Sequence, residues 1–162
     1  MAIEIERKFL IVSDGWKKHI ARTEELAQGY LAASPRCLVR VRASQDRGWL
    51  TVKGGQIGDT DTLTRLEFEY EIPCEHARDM LGAFALSSVA KTRYTLDLPQ
   101  YQWTVDVFHG ANDGLVILEI EGPDVEMLGD KDLPEWVGED VSADPRMSNA
   151  ALSHNPYSQW GN

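Results

Sequence analysis

Met1-Ala-Ile-Glu-Ile-Glu-Arg-Lys-Phe9 opens the chain, and the reading of that stretch decides the fold. Ile3, Ile5, Arg7 and Phe9 alternate with Glu4, Glu6 and Lys8. Successive side chains of a strand point to opposite faces, so this is a strand with one mostly apolar face and one charged face. The question for the rest of the chain is whether the charged face meets bulk water or a ligand.

The period-two pattern recurs and predicts a β-rich fold. The first strand runs from Ala2 to Val12, and later ones cover Glu25–Ala32, Cys37–Ala43, Trp49–Lys53, Thr64–Pro73, Ser88–Leu98, Tyr101–Phe108 and Leu115–Gly122. Trp16–Ala21, Glu75–Phe84 and Arg146–Leu152 read as helices, and the chain after Pro123 as helical and polar. Gly54-Gly55 and the polar run to Thr62 read as a loop. That makes about eight strands joined by connections short enough for antiparallel neighbours. One domain is expected over residues 1–154, with a frayed tail at 155–162.

The 162 residues suffice for a single domain with a real core. Apolar residues make up 43% and charged residues 26%, which is ordinary for a globular protein. No apolar run approaches the roughly 20 residues that cross a bilayer, and the first residues do not resemble a signal peptide. Cys37 and Cys74 have no metal-type spacing, and free thiols fit a cytoplasmic protein. A net charge of −10 argues against nucleic acid or an anionic membrane as partner. A local basic cluster can still overrule that sign for a small anion.

Such a cluster is present, because the charges are sorted by sign. Glu4-x-Glu6 and Glu119-x-Glu121 are acidic rows, whereas Arg40-x-Arg42 and Lys91-x-Arg93 are basic rows. Solvated faces usually mix signs, since like neighbours repel. Arg40 and Arg42 stand roughly 7 Å apart on one strand face, and guanidinium forks there match phosphate oxygens. The acidic rows lie near the two ends of the sequence, so a sheet that curls shut brings them together. Carboxylates converging in that way suit a hard cation such as Mg²⁺ or Mn²⁺ better than zinc. The expected architecture is α+β, mostly antiparallel: a closed eight-stranded β-barrel with a charged lumen and flanking helices.

These rows resemble the signature of the CYTH superfamily, the triphosphate tunnel metalloenzymes. The start Glu4-x-Glu6-x-Lys8 is followed in the family's order by Arg40-x-Arg42, Thr51-Val52-Lys53-Gly54, Arg65-x-Glu67-x-Glu69-x-Glu71, Lys91-x-Arg93-Tyr94, Asp106-x-Phe108 and Glu119-x-Glu121. Trp136–Ser142 and Pro145–Asn149 are similar to the C-terminal motif of the short bacterial branch, with Met147 where relatives often have Tyr.

The resemblance implies a tunnel that binds triphosphate with Mg²⁺ or Mn²⁺. It implies metal ligands among Glu4, Glu6, Glu119 and Glu121, and phosphate contacts from Lys8, Arg40, Arg42, Lys53, Lys91 and Arg93. Tyr30, in Gly29-Tyr30-Leu31, would work with Lys8 beside the attacking water. Glu67, Glu69 and Asp106 are candidate lumen carboxylates. The expected activity is metal-dependent hydrolysis of a small-molecule triphosphate, foremost inorganic tripolyphosphate. Adenylate cyclase, thiamine triphosphatase and a non-catalytic polyphosphate- or nucleotide-binding module are the alternatives. A homodimer is compatible with this branch. The four histidines share no spacing and read as surface residues, and the five tryptophans as cover for the outer face of the sheet.

Overall fold

The computed structural model describes residues 3–56 and 64–161, and the side chains at positions 4, 55, 56 and 64 fall outside that description. The alternating stretches form strands β1 (Ile3–Ile11), β2 (Ile20–Ala33), β3 (Cys37–Ala43), β4 (Gly48–Gln56), β5 (Thr64–Ile72), β6 (Ser87–Leu96), β7 (Gln102–Phe108), β8 (Val116–Glu121) and β9 (Val137–Asp140). Two helices are inserted, α1 (Cys74–Phe84) and α2 (Asn149–His154). The strands make one antiparallel sheet in the order β5-β4-β3-β2-β6-β7-β8-β1-β9. Ile3, Glu4 and Ile5 of β1 also pair with Leu66, Arg65 and Thr64 of β5, which begins that order.

The described sheet has nine strands where the sequence pattern predicts eight. The additional strand is β9, in the region expected to be helical; it lies along β1, with Phe9 opposite Asp140 and Ile11 opposite Val137. At four residues it is too short to show a clear alternation. β2 begins five residues before its predicted start, because Ile20–Glu25 pair with Thr92–Leu96 of β6. Gly54–Gln56 continue β4 and do not form a loop; the remainder of the predicted loop, residues 57–62, lies outside the described residues.

One face of the sheet is apolar and covered. Phe9, Trp103, Val105, Leu118 and Ile120 pack with Trp16, Leu128 and Trp136 from the connections, while α1 brings Ala77 and Leu81 onto Val41 and Ala43. The opposite face divides in two. Part of it carries the charged rows. The other part is apolar: Leu10, Val89, Phe108 and Ile117, which share the charged side by register, pack with Met147 and Leu152. Met147, the departure noted above, is therefore a buried core residue. Trp160 packs on the same cluster, the Tyr157 amide donates to Asn112 Oδ1 at 2.8 Å, and the Arg146 guanidinium lies 4.4 Å over the Trp160 ring. Tyr157 and Trp160, within the stretch expected to fray, are held by these contacts.

The approach of α1 to β2 needs a residue without a side chain. A Cβ on Gly29 would come 2.7 Å from Leu81 Cδ2 and 2.9 Å from the Ala85 Cβ. Gly29→Ala is therefore expected to cost about 1–3 kcal/mol through overpacking, read as a lowered urea midpoint at unchanged m-value.

Candidate active site

Cross-strand register gathers the charged rows around a cavity of about 240 Å³. On one wall Glu6 stands opposite Glu121, and Lys8 opposite Glu119. Lys8 Nζ lies 3.7 Å from Glu6 and 3.9 Å from Glu119, and reaches the Met147 carbonyl at 3.5 Å. On the facing wall Arg40 lies 3.2 Å from Glu69 and 3.7 Å from Glu67, Arg42 lies 3.6 Å from Glu69, and Lys53 lies 3.5 Å from Glu67. Thr51 links this group by donating to Glu69 at 3.0 Å and accepting from Arg40 at 3.1 Å.

β6 and β7 join the two walls. Lys91 Nζ donates to Asp106 Oδ2 at 2.6 Å and to Asn149 Oδ1 of α2 at 3.0 Å. Arg93 holds both oxygens of Asp106, at 2.7 and 2.8 Å, and donates to Glu119 at 2.9 Å. Lys91 and Asp106 are each 1% exposed, so neither charge has water to screen it. Burial pushes the Asp106 carboxyl up, but Arg93 and Lys91 outweigh it and hold the carboxyl well below its usual range. Burial lowers the Lys91 ammonium to about 7, against the pull of Asp106 and with the help of Arg93.

The rest of the site is also tuned by its charges. Burial lowers the Arg42 guanidinium to about 10, and the neighbouring Arg40 and Arg93 push the same way. That is the repulsion expected of a basic row held together. Burial raises Glu69, yet Arg42, Arg40 and the Thr51 hydroxyl bring it below its usual value. Glu119 is likewise held low, chiefly by Arg93 against burial. Seven basic and five acidic residues are among those lining the cavity, reversing the sign of a chain whose net charge is −10. Among the described residues, the chemistry offered is a small cationic chamber with carboxylates on two of its walls.

Most sequence-predicted residues meet here: Glu6, Lys8, Tyr30, Arg40, Arg42, Lys53, Glu67, Glu69, Lys91, Arg93, Glu119 and Glu121 all line the cavity. Asp106 does not. It sits behind the wall and ties Lys91 to Arg93. The side chain of Glu4 lies outside the described residues. Arg65, Gln102, Ser148 and Asn149 line the cavity without having been predicted. Arg65 shares a strand face with Glu67, and Gln102 stands opposite Glu121, so alternation alone could have placed both. Trp49 departs from the reading of the tryptophans as outer cover. It stands opposite Arg42 on the charged side, with Arg42 at 5.1 Å and Arg47 at 4.9 Å from its ring.

The acidic side chains bear on the implied metal in two ways. Among the described residues, no three His, Cys, Asp or Glu side chains are gathered closely enough to hold one. The chemistry of the acidic wall does fit: Glu6 faces Glu121 directly in register, like charges directly opposite are unfavourable, and carboxylate oxygens are what Mg²⁺ and Mn²⁺ take.

A profile of the CYTH domain matches residues 2–151, and the chain belongs to that family. It is 41% identical over 161 residues to an inorganic triphosphatase of Acetivibrio thermocellus, covering 99% of each chain. It is 33% identical over 156 residues to an inorganic triphosphatase of Nitrosomonas europaea, covering 93% of this chain and 96% of the relative. Among solved structures, that of the inorganic triphosphatase NE1496 superposes with a TM-score of 0.62 at 30% identity, over 93% of this chain and 97% of the other. A Hippeastrum protein described as a putative adenylyl cyclase with dominant triphosphatase activity shares the fold, with a TM-score of 0.59 at 14% identity, over 76% of this chain and 81% of the other.

Asp106→Asn removes the countercharge between the buried Lys91 and the partly buried Arg93 and is expected to cost about 3–5 kcal/mol in urea unfolding at pH 7. The pH dependence has a defined sign. The native carboxyl titrates below its unfolded value of about 3.9. Its contribution is full above that value and is lost as pH falls. The acid limb of stability below about pH 4 is therefore expected to be shallower in Asp106→Asn than in the parent protein.

Proposed function

We propose that the protein is a divalent-metal-dependent inorganic triphosphatase that hydrolyses tripolyphosphate to pyrophosphate and orthophosphate. The observation that carries this reading is the single cavity in which the basic rows face the acidic rows. The likeness to two inorganic triphosphatases over nearly their whole length supports it. We read the cavity as a tunnel enclosed by β1 to β8. The pairing of β1 with β5, the outermost strand of the sheet order, supports that closure. The catalytic domain spans residues 1–154 on this reading, with residues 155–162 as its C-terminal tail.

Phosphoryl transfer asks an enzyme for positioning and charge neutralisation more than for covalent chemistry. Arg40, Arg42, Lys53, Lys91 and Arg93 would hold the phosphate chain. Arg40 and Arg42 already lie fixed on Glu69, so little reorganisation is needed when the anion arrives. Lys8, between Glu6 and Glu119, would orient the attacking water with Tyr30 beside it. Glu6 and Glu121, with Glu4 and Glu119, would hold Mg²⁺ or Mn²⁺, which when bound supplies neutralisation of phosphate charge. The cavity wall is polar apart from Leu38, Ala150 and the Tyr30 ring, which favours an inorganic chain over the base of ATP or the thiazolium and pyrimidine rings of thiamine triphosphate.

A cytoplasmic setting fits two free cysteines, one of them exposed. No helix among the described residues is long and apolar enough to cross a membrane.

Purified protein assayed with Mg²⁺ or Mn²⁺ is expected to release orthophosphate from tripolyphosphate faster than from ATP or thiamine triphosphate, with no cyclic AMP. Glu6→Gln is expected to lose at least about tenfold in activity, and Arg40→Ala about 10²–10³ in kcat/KM. Cyclic AMP as the main product of ATP, or full activity of Glu6→Gln in chelator, sinks the reading.

A further inference from the structure

We infer, resting on the reading of the cavity as a triphosphate hydrolase site, that Gln28 is a positioning residue that fixes the Tyr30 hydroxyl as a hydrogen-bond donor aimed into the cavity. Neither the charge pattern nor the family motif points to Gln28, which is uncharged and fully buried at 0% exposure. Its Nε2 donates to the Tyr30 hydroxyl oxygen at 2.9 Å. Its Oε1 accepts no hydrogen bond among the described residues, and the Nε atoms of Arg40 and Arg42 are likewise buried without a partner.

The surrounding charge decides which way the amide faces. Gln28 stands opposite Arg42, and Tyr30 opposite Arg40, in the β2–β3 register. A carbonyl oxygen turned toward that guanidinium row is stabilised by it. The flipped amide would set N–H dipoles against buried cations and leave donors without acceptors, which is costly. With the oxygen facing the arginines, the amide nitrogen faces Tyr30. The phenol oxygen then accepts, and its own hydrogen cannot point back along the same bond.

Two further features direct that hydrogen toward substrate. The register of β2 shifts between Tyr30 and Ala32, an irregularity of the kind that re-aims a side chain. Tyr30 is only 3% exposed, yet its side chain lines the cavity. Burial raises the phenol above its ordinary value, against Arg40, Gln28 and Lys8, so Tyr30 keeps its proton at neutral pH. It acts by donating to a phosphate oxygen and is not a base.

The test is a double-mutant cycle on tripolyphosphate hydrolysis with Mg²⁺, with folding followed by thermal unfolding. Tyr30→Phe and Gln28→Leu are each expected to lower kcat about tenfold, the worth of one hydrogen bond, with KM within about twofold. The double variant is expected to be no slower than Tyr30→Phe alone. Gln28→Glu keeps size and hydrogen bond but reverses the bond, since a carboxylate only accepts; its kcat is expected to fall as in Gln28→Leu. If Gln28→Leu does not fold, Gln28→Met takes its place in the cycle. Equal losses for the Gln28 variant with and without the Tyr30 hydroxyl overturn the inference, as does wild-type kcat in Gln28→Glu. Parent protein that releases no orthophosphate from tripolyphosphate overturns the reading of the site, and the inference with it.

Discussion

The structure depends on one buried carboxylate. Asp106 accepts from Lys91 and from both arms of the Arg93 fork, and Arg93 passes the connection on to Glu119. Without it, the buried Lys91 and the partly buried Arg93 would stand side by side on β6 with their nearest countercharge gone. A pair stripped of one member leaves an uncompensated charge in low dielectric, which is among the most destabilising single changes available to a protein. Asp106 thus lets the sheet keep a charged face turned inward, and it does so from behind residues that line the cavity, among them Lys91 and Arg93.

That inward face is half site and half core. Along β6 it changes from Arg93 and Lys91 to Val89 within three successive inward positions, and along β7 from Asp106 to Phe108. The apolar half receives Met147 and Leu152, so the C-terminal segment is fixed by burial. Once anchored, the same segment sets Asn149 Oδ1 on Lys91 and the Met147 carbonyl on Lys8. A hydrophobic contact therefore places polar groups at the rim of a charged chamber. Met147 contributes apolar volume to that anchor and is 5% exposed.

The strands were readable because a half-buried sheet imposes a period of two, and the charge rows were readable because sign-sorting is unusual on a wet face. Glu6, Lys8, Arg40, Arg42, Lys53, Lys91 and Arg93 fell into place for that reason. The misses have different physical origins. β9 is held by its neighbour β1 more than by its own pattern. Asp106 alternates correctly with the lumen residues, but alternation fixes only the face, and depth behind the wall depends on which cations close over it. Gln28 shares a strand face with Tyr30 by alternation, but it carries no charge to mark it, and its place opposite Arg42 exists only once β2 and β3 are in register.

The sign of the cavity would let so acidic a chain hold the polyanion proposed as its substrate. Among the described residues, basic side chains outnumber acidic ones in the cavity lining, while the balance over the whole chain is −10. At physiological salt the screening length is about 8 Å, so an anion at the rim feels mainly the residues within one such length. A short polyphosphate can enter that local field. A long polyanion spans several screening lengths and meets the acidic exterior over most of its extent. Burial first, and then Arg40 and Arg93, lower the Arg42 guanidinium, and a phosphate bound in the chamber would offset both the lost solvation and the repulsion. Only an anion small enough for a cavity of about 240 Å³ would reach all of these cations at once, so the walls would select for size and charge together.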